Sequence, residues 1–353
     1  MKKKIILILS FLAVLGISGI GYYHSTTATT NRVVHAIQHD DLQKVKKYLP
    51  EYSDHTKISD TAYRTYLASD PSSKQIRQML NSNCKFVNHG WLRSKTWEPK
   101  KRTISILGLD DVEQTSASLV IGKKTAKVEK SGHLNLLPGN YTLTFKLNNP
   151  AYGTVKKKED INLTSDNQDV VFSPESDFEK SNHLHKLLLA TFSAFLVSWN
   201  KSIPTMDFSN LEYATSAEKE QLTDTYTDLK EILSSYENQF NKVTIDDSSV
   251  EIQTYATEPT IQFTAYVDRK QHLKIDKSKV KDKVDDKELQ KTSTDGTVEV
   301  TMTYSSKTGH WKVSDANFAV DSQDPQEWDN KTSFTLPKEN QDAHWDKNQV
   351  SNI

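Results

Sequence analysis

Residues 183–203 read HLHKLLLATFSAFLVSWNKSI. Whether this stretch crosses a membrane or lies on a sheet decides the fold of the C-terminal half. Leu184, Leu187, Leu188, Phe192, Phe195, Leu196 and Trp199 recur at three- and four-residue spacing and form a wide apolar face. His183, His185, Lys186, Asn200 and Lys201 bracket it and leave too few apolar residues for a span. The reading is an amphipathic helix that packs on a partner, and the partner follows in the sequence. KVTIDDSSVEIQTY (242–255), TIQFTAYVD (260–268), VEVTMTY (298–304) and HWKVSDANF (310–318) are strand-like runs. The last three alternate with period two, with Val298, Val300, Met302 and Tyr304 on one face. A second helix is expected over residues 216–239. Helices followed by four antiparallel strands predict an α+β unit over 176–320, in which a curved sheet wraps the long helix. Such a cone can enclose a pocket between helix and sheet. Trp199, Tyr266, Tyr304 and Trp311 are the aromatic candidates for its lining, weighed against plain core packing.

Toward the N-terminus the period changes. From Thr103 to Ser173, short alternating runs such as TISILGL and NYTLTFKL are separated by turn residues, among them Leu137-Pro138-Gly139-Asn140. About six strands in this span predict a small β-sandwich over 103–173. Residues 31–84 read as a small helical domain, with Ser59 and Ser72 as N-caps and Pro50 as a breaker. Between them, KFVNHGWLRSKTWEPKKR (85–102) holds six basic residues and one acid. It reads as a solvated connector or as a contact for an anionic surface through Arg93, Lys95, Lys100, Lys101 and Arg102. A second basic run, 269–291, has nine basic and five acidic residues. Lys277, Lys279, Lys281 and Lys283 are its candidate contacts, against the plainer reading of a solvated hairpin. The tail, 321–353, carries seven acids and three lysines with little periodicity and is expected to be disordered.

The chain opens with Met1–Lys4, three lysines among them, followed by the uncharged run Ile5–Tyr23. As a helix that run is roughly 28 Å long, near the thickness of a bilayer core. Its length favours a retained transmembrane helix over a cleaved leader, whose apolar region is usually shorter. Lysines stay on the cytoplasmic side, so either reading places the bulk of the chain outside. The expected location is the cell membrane, single-pass, with the C-terminal bulk extracellular. The net charge is −1, so any electrostatic partner is met by local patches. A single cysteine, Cys84, excludes an intramolecular disulfide and a Cys-x-x-Cys metal site, and suits a bacterial envelope. Nucleic acid is not an expected partner outside the membrane.

Chemistry-bearing motifs are sparse. There is no His-Glu-x-x-His, no Gly-x-Ser-x-Gly and no phosphate-cradling glycine loop. His183 and His185 point to different helix faces and are assigned to the surface. Asp40–Asp41, Asp110–Asp111 and Asp246–Asp247 read as turn or cap residues. No catalytic residue, cofactor or metal ligand is assigned, and the expected protein is not an enzyme.

The order of parts resembles the TcaA family of Gram-positive membrane proteins, associated with teicoplanin resistance. The residues that carry the resemblance are the lysine-flanked run, VVHAIQHDDLQKVKKYL with KISDTAYRTYL, LPGNYTLTFKL, the Phe-rich helix, and the ending GHWKVSDANF. GHWKV is similar to the end of NTF2-like folds. The resemblance implies an extracytoplasmic protein at the cell wall, contacting wall polymers, wall precursors or wall-synthesis proteins and affecting glycopeptide susceptibility. The chain departs from the family by lacking the cytoplasmic zinc ribbon, since only four residues precede the uncharged run. The expected fold class is thus multidomain: an N-terminal transmembrane helix, a small all-α domain, a small β-sandwich and a C-terminal α+β NTF2-like domain. A ligand-binding or enzymatic NTF2-like head is the alternative.

Overall fold

The computed structural model describes residues 25–89, 95–129, 131–254, 256–280, 285, 287–318, 320 and 323–350. They fall into two compact units. The first is the described part of Met1–Asp110 with Thr115–Leu147 and Lys156–Ser173. The second is Asp111–Gln114, Asn148–Val155 and the described part of Pro174–Ile353.

The first unit starts with four short helices: α1 (Thr26–Gln38), α2 (Leu42–Tyr48), α3 (Asp60–Ala68) and α4 (Ser73–Asn83). Each begins on a side chain that takes an orphan backbone N–H. Ser59 Oγ accepts from Ala62 N, and Ser72 forms a reciprocal capping box with Gln75. Asp41 caps α2 by accepting from Lys44 N, after Asp40 breaks the chain at φ 51°. Val33, Ile37, Val45, Leu49, Tyr63, Ile76 and Leu80 make the buried stripe. The described residues of the expected connector include a two-stranded antiparallel sheet, β1 (Cys84–Val87) and β2 (Thr96–Pro99), with Lys85 opposite Glu98.

Two further sheets follow, in the same unit except for the tip of one hairpin, Asn148–Val155, which is assigned to the second. One has the order β6-β3-β9, from β3 (Arg102–Leu107), β6 (His133–Leu136) and β9 (Gln168–Val171). The other has the order β5-β4-β7-β8, from β4 (Ser116–Ile121), β5 (Lys124–Lys127), β7 (Asn140–Asn149) and β8 (Gly153–Asn162). Phe145 and Phe172 meet edge to face at 5.2 Å in their shared core. The helical and sandwich parts, expected as separate domains, cluster as one unit. Tyr66 of α3 packs edge to face on Tyr141 of β7, with ring centroids 6.3 Å apart.

The second unit begins with α5 (Pro174–Glu179), α6 (Asn182–Ser202) and α7 (Ser216–Ile232). Its sheet runs β14-β13-β12-β10-β15, built from β10 (Leu233–Asp246), β12 (Thr260–Ile275), β13 (Gln290–Ser305), β14 (His310–Asn317) and β15 (Lys331–Thr335). β11 (Glu251–Gln253) adds to β12, and β16 (Asp342–Asp346) adds to β10. Register shifts after Phe240, Val267 and Thr301 bend the sheet around α6. Leu184, Leu188, Phe192, Phe195, Leu196 and Trp199 are buried on the helix side, and Phe240, Val243, Phe263, Val298, Val300 and Val313 on the sheet side.

Three expectations are corrected. The fold class expected an N-terminal transmembrane helix, but no helix among the described residues is long and apolar enough to cross a membrane. Residues 5–23, on which that reading falls, lie outside the described residues. The second helix ends at Ile232, not 239, and the chain passes directly into β10. There Leu233, Tyr236, Asn238 and Phe240 are buried along a strand, and pairing with β12 outweighs the helix-compatible sequence. The tail is not disordered throughout its described part. β15 and β16 both pair with β10, and Leu336 and Trp345 anchor them in the core. These two apolar side chains offset the ordering entropy that the acidic composition cannot.

Candidate functional site

The face of α6 turned away from the sheet core carries Lys186, Ala190, Ser193, Ala194, Val197 and Lys201. Their spacing puts them on one side of the helix. The opposite wall is Thr332–Phe334 of β15 with Pro337 and Asn340, and Glu212 and Tyr213 close one end. The groove between them is open to solvent and has a volume of about 580 Å³. Small residues on the helix keep it open, and Tyr213 and Phe334 stand half-exposed at its rim. Tyr213 is held in the left-handed region at φ 58°, fixed by Val313 N–H donating to its carbonyl at 2.7 Å. The Ser193 hydroxyl is buried at the groove with no hydrogen-bond partner among the described residues.

One edge of β15 is free among the described residues, because it pairs only with β10. Asp247 N–H donates to Asn330 O and Leu336 N–H to Asn241 O. In an antiparallel ladder this phase aims the backbone groups of Lys331, Ser333 and Thr335 away from β10. The groove therefore couples an apolar floor to an unpaired strand edge, with a lysine near each end of the helix face.

Behind this wall lies a His–Asp contact that the sequence reading missed. His185, assigned to the surface, is buried, with Nδ1 3.5 Å from Asp247 Oδ2. This is an ion-pair distance, too long for a hydrogen bond. Its Nε2 is engaged by Glu179 O, and Thr332 Oγ1 donates to Asp247 Oδ2 at 2.7 Å. The pair braces α5, α6 and β15; its ring nitrogens do not address the groove.

The aromatic quartet does not line a common cavity. Trp199 is core, ringed by Phe195, Phe208, Tyr226 and Phe240 at centroid distances of 5.6–6.3 Å. Trp311 is buried against Tyr304 at 5.5 Å and donates its indole N–H to Ala151 O of the same unit at 3.1 Å. Tyr266 is half-buried on the β12 face opposite Phe263, Ala265 and Val267. Bulk on both inner faces fills the space that a cone-shaped cavity would need.

The basic candidates are dispersed. Lys101 pairs with Asp54 at 2.7 Å, and Arg102 donates to Asn83 Oδ1 at 3.3 Å. Lys95 lies over the Phe86 ring at 5.8 Å, and Lys100 is exposed. Lys277 and Lys279 are exposed on a turn capped by Asp276. Arg93, Lys281 and Lys283 lie outside the described residues.

Comparison with known proteins gives a fold-level answer. No curated protein sequence matches the chain. The solved structures that align include the crystal structure of the intermembrane space region of the chloroplast protein ARC6, at 15% identity. That alignment covers 36% of this chain and 94% of that chain, with a TM-score of 0.26. Residues 188–317, which hold most of α6 and the sheet through β14, match the family model described as the YvbJ NTF2-like domain.

Proposed function

We propose that the chain is a non-catalytic binding protein of a Gram-positive cell envelope, of the TcaA type, working outside the cytoplasmic membrane. Its second unit recognises an extended peptide segment of a protein partner in the groove along α6. The observation that carries this reading is the groove's combination of apolar helix face and free β15 edge. An added strand would gain main-chain hydrogen bonds from β15 and lay alternate side chains on Ala190, Ala194 and Val197. Lys186 and Lys201 are 15 helical residues apart, roughly 22 Å, which an extended peptide covers in about seven residues. Glu212 is one acid against these two lysines, so the favoured segment is apolar in the middle and acidic at its ends. The order of parts supports the envelope setting.

The test is binding of synthetic acidic–apolar–acidic peptides of seven to nine residues to the full chain. Ala194→Trp fills the groove and should abolish binding while leaving the melting temperature unchanged. Lys186→Glu with Lys201→Glu should weaken it most at low salt. Equal binding by Ala194→Trp would overturn the assignment.

A second reading rests on the long β12–β13 hairpin, where Lys270, Lys274, Lys277, Lys279, Lys287 and Lys291 are exposed. It fits contact with an anionic wall polymer. Salt-sensitive retention on walls that carry teichoic acids, and none on walls stripped of them, would favour it over the groove.

A further inference from the structure

Far along the sequence from the groove, and in the first unit, three ligand-type side chains converge. Glu51, His55 and Glu98 each offer one donor atom, and the three atoms lie within 4.8 Å of one another. Glu51 Oε1 and His55 Nδ1 are already 3.0 Å apart. The turn carrying the first two is tightly specified. Tyr52 N–H donates to Thr56 O, His55 N–H to Tyr52 O, and the backbones of Glu51 and Lys57 pair as an isolated antiparallel β-bridge. Ser53 N–H donates to Pro99 O at 2.9 Å, which fixes the turn against β2, where Glu98 sits. The Lys101–Asp54 ion pair holds the same junction on its other side.

Glu98 is the telling residue. It is 3% exposed, yet its carboxylate has neither a hydrogen bond nor an ion pair among the described residues. Lys85 is its cross-strand neighbour, but Lys85 is exposed and makes no ion pair with it. The side chain is packed in place while its oxygens make no bond to the described residues, which leaves them available to a bound cation. The donors beside it are one imidazole nitrogen and one more carboxylate, which contact each other, and His55 leaves the cluster open to solvent on one side. That donor set, one nitrogen and two oxygens with an open fourth position, matches a zinc-class divalent cation with a bound water. Ligand atoms around such a cation sit on the order of 3.4 Å apart for bonds of about 2.1 Å, so small side-chain shifts suffice.

We propose that Glu51, His55 and Glu98 form a divalent transition-metal site, best matched to zinc, that staples the 50–57 turn to β2. The site is independent of the groove and of the function proposed for it. The imidazole ligates as the neutral ring, through a nitrogen that carries no proton.

The experiment uses the full chain after chelator treatment, titrated calorimetrically with zinc chloride and, separately, with manganese and magnesium chloride. One equivalent of zinc should bind, more tightly than magnesium, and raise the melting temperature. Glu98→Gln keeps shape and should weaken zinc binding at least about 100-fold. His55→Asn should do the same; asparagine tolerates the left-handed backbone at φ 63°, so the turn persists. Both variants should melt like the parent without metal. Absence of saturable zinc binding by the parent would overturn the proposal. So would unchanged affinity in both variants, which would place the metal elsewhere.

Discussion

Asn238 donates its side-chain N–H to Asn200 Oδ1 at 2.7 Å, and both residues are buried. Asn200 in turn donates to Asn340 O at 3.0 Å and Gln341 O at 2.8 Å. One amide therefore joins the long helix, the central strand β10 and the tail. The tail is what builds the second wall of the groove, so the groove depends on this bond set. Asn200→Leu keeps the volume but strands the Asn340 carbonyl and the Asn238 amide, while Gln341 O keeps its bond from Phe240 N–H at 2.9 Å. The expected cost is about 2–4 kcal/mol, since each buried orphan costs on the order of 1–3 kcal/mol. Hydrogen exchange should accelerate in residues 331–346 before the sheet core is affected. Uniform protection across the unit would mean that the tail is held by Leu336 and Trp345 alone.

Glu218 makes the stability of the second unit pH-dependent. It lies in the first turn of α7, and burial raises its carboxyl from an ordinary value of 4.5 to about 7, with Asp315 adding to the rise. Its Oε2 has no hydrogen-bond partner among the described residues. The folded state thus holds a proton that the unfolded state has released between these two values. The associated stability is fully present below about pH 4.5 and is lost as pH rises through about 7. Glu218→Gln should stabilise the protein above pH 7 by up to about 3 kcal/mol and give no gain in acid. Asp315→Asn should shift the transition to lower pH. Denaturant melts across the range read both; a pH-independent difference between Glu218→Gln and parent would contradict the assignment.

The pattern of what the sequence disclosed follows from the range of the interactions. The apolar stripe of α6 and the alternation at Val298, Val300 and Met302 are local signals, and the helix-on-sheet arrangement was readable from them. Residues 233–240 continue a helical spacing through Leu222, Tyr226, Leu229 and Leu233, so only pairing with β12 reveals them as strand. The tail has few apolar residues, and its strands exist because β10 has an edge to complete. The groove went unseen because Ala190, Ala194 and Val197 look like the idle side of an amphipathic helix until β15 stands opposite. Glu51, His55 and Glu98 show no metal spacing in sequence, since a turn and a strand bring them together.

Cys84 should behave as a silent thiol. The residue is half-buried, its Sγ–H donates to Met79 Sδ at 3.2 Å, and burial pushes its pKa far above the ordinary thiol range. Thiolate is the reactive species, so a thiol reagent at about pH 8 should label the native chain slowly and the denatured chain at once. The labelling rate then reports opening of the α4–β1 junction. Fast native labelling would show that this junction opens locally.

Two glycines separate backbone strain from steric conflict. Gly122 and Gly132 both occupy the left-handed region, at φ 59° and 69°. A Cβ at Gly122 meets nothing within 4 Å, whereas at Gly132 it would lie 2.5 Å from the Ile106 carbonyl oxygen. That oxygen is backbone of β3, and Ile106 N–H is itself bonded to Gly132 O at 2.8 Å, so neither partner can yield alone. Gly122→Ala should cost only the conformational penalty, on the order of 1–2 kcal/mol. Gly132→Ala should cost that plus the close approach, about 3 kcal/mol or more. Equilibrium denaturation of the two variants side by side reads the difference, because the backbone term is common to both. Equal destabilisation would mean that β3 moves aside freely and that the β3–β6 edge of the sandwich is far softer than its hydrogen bonding indicates.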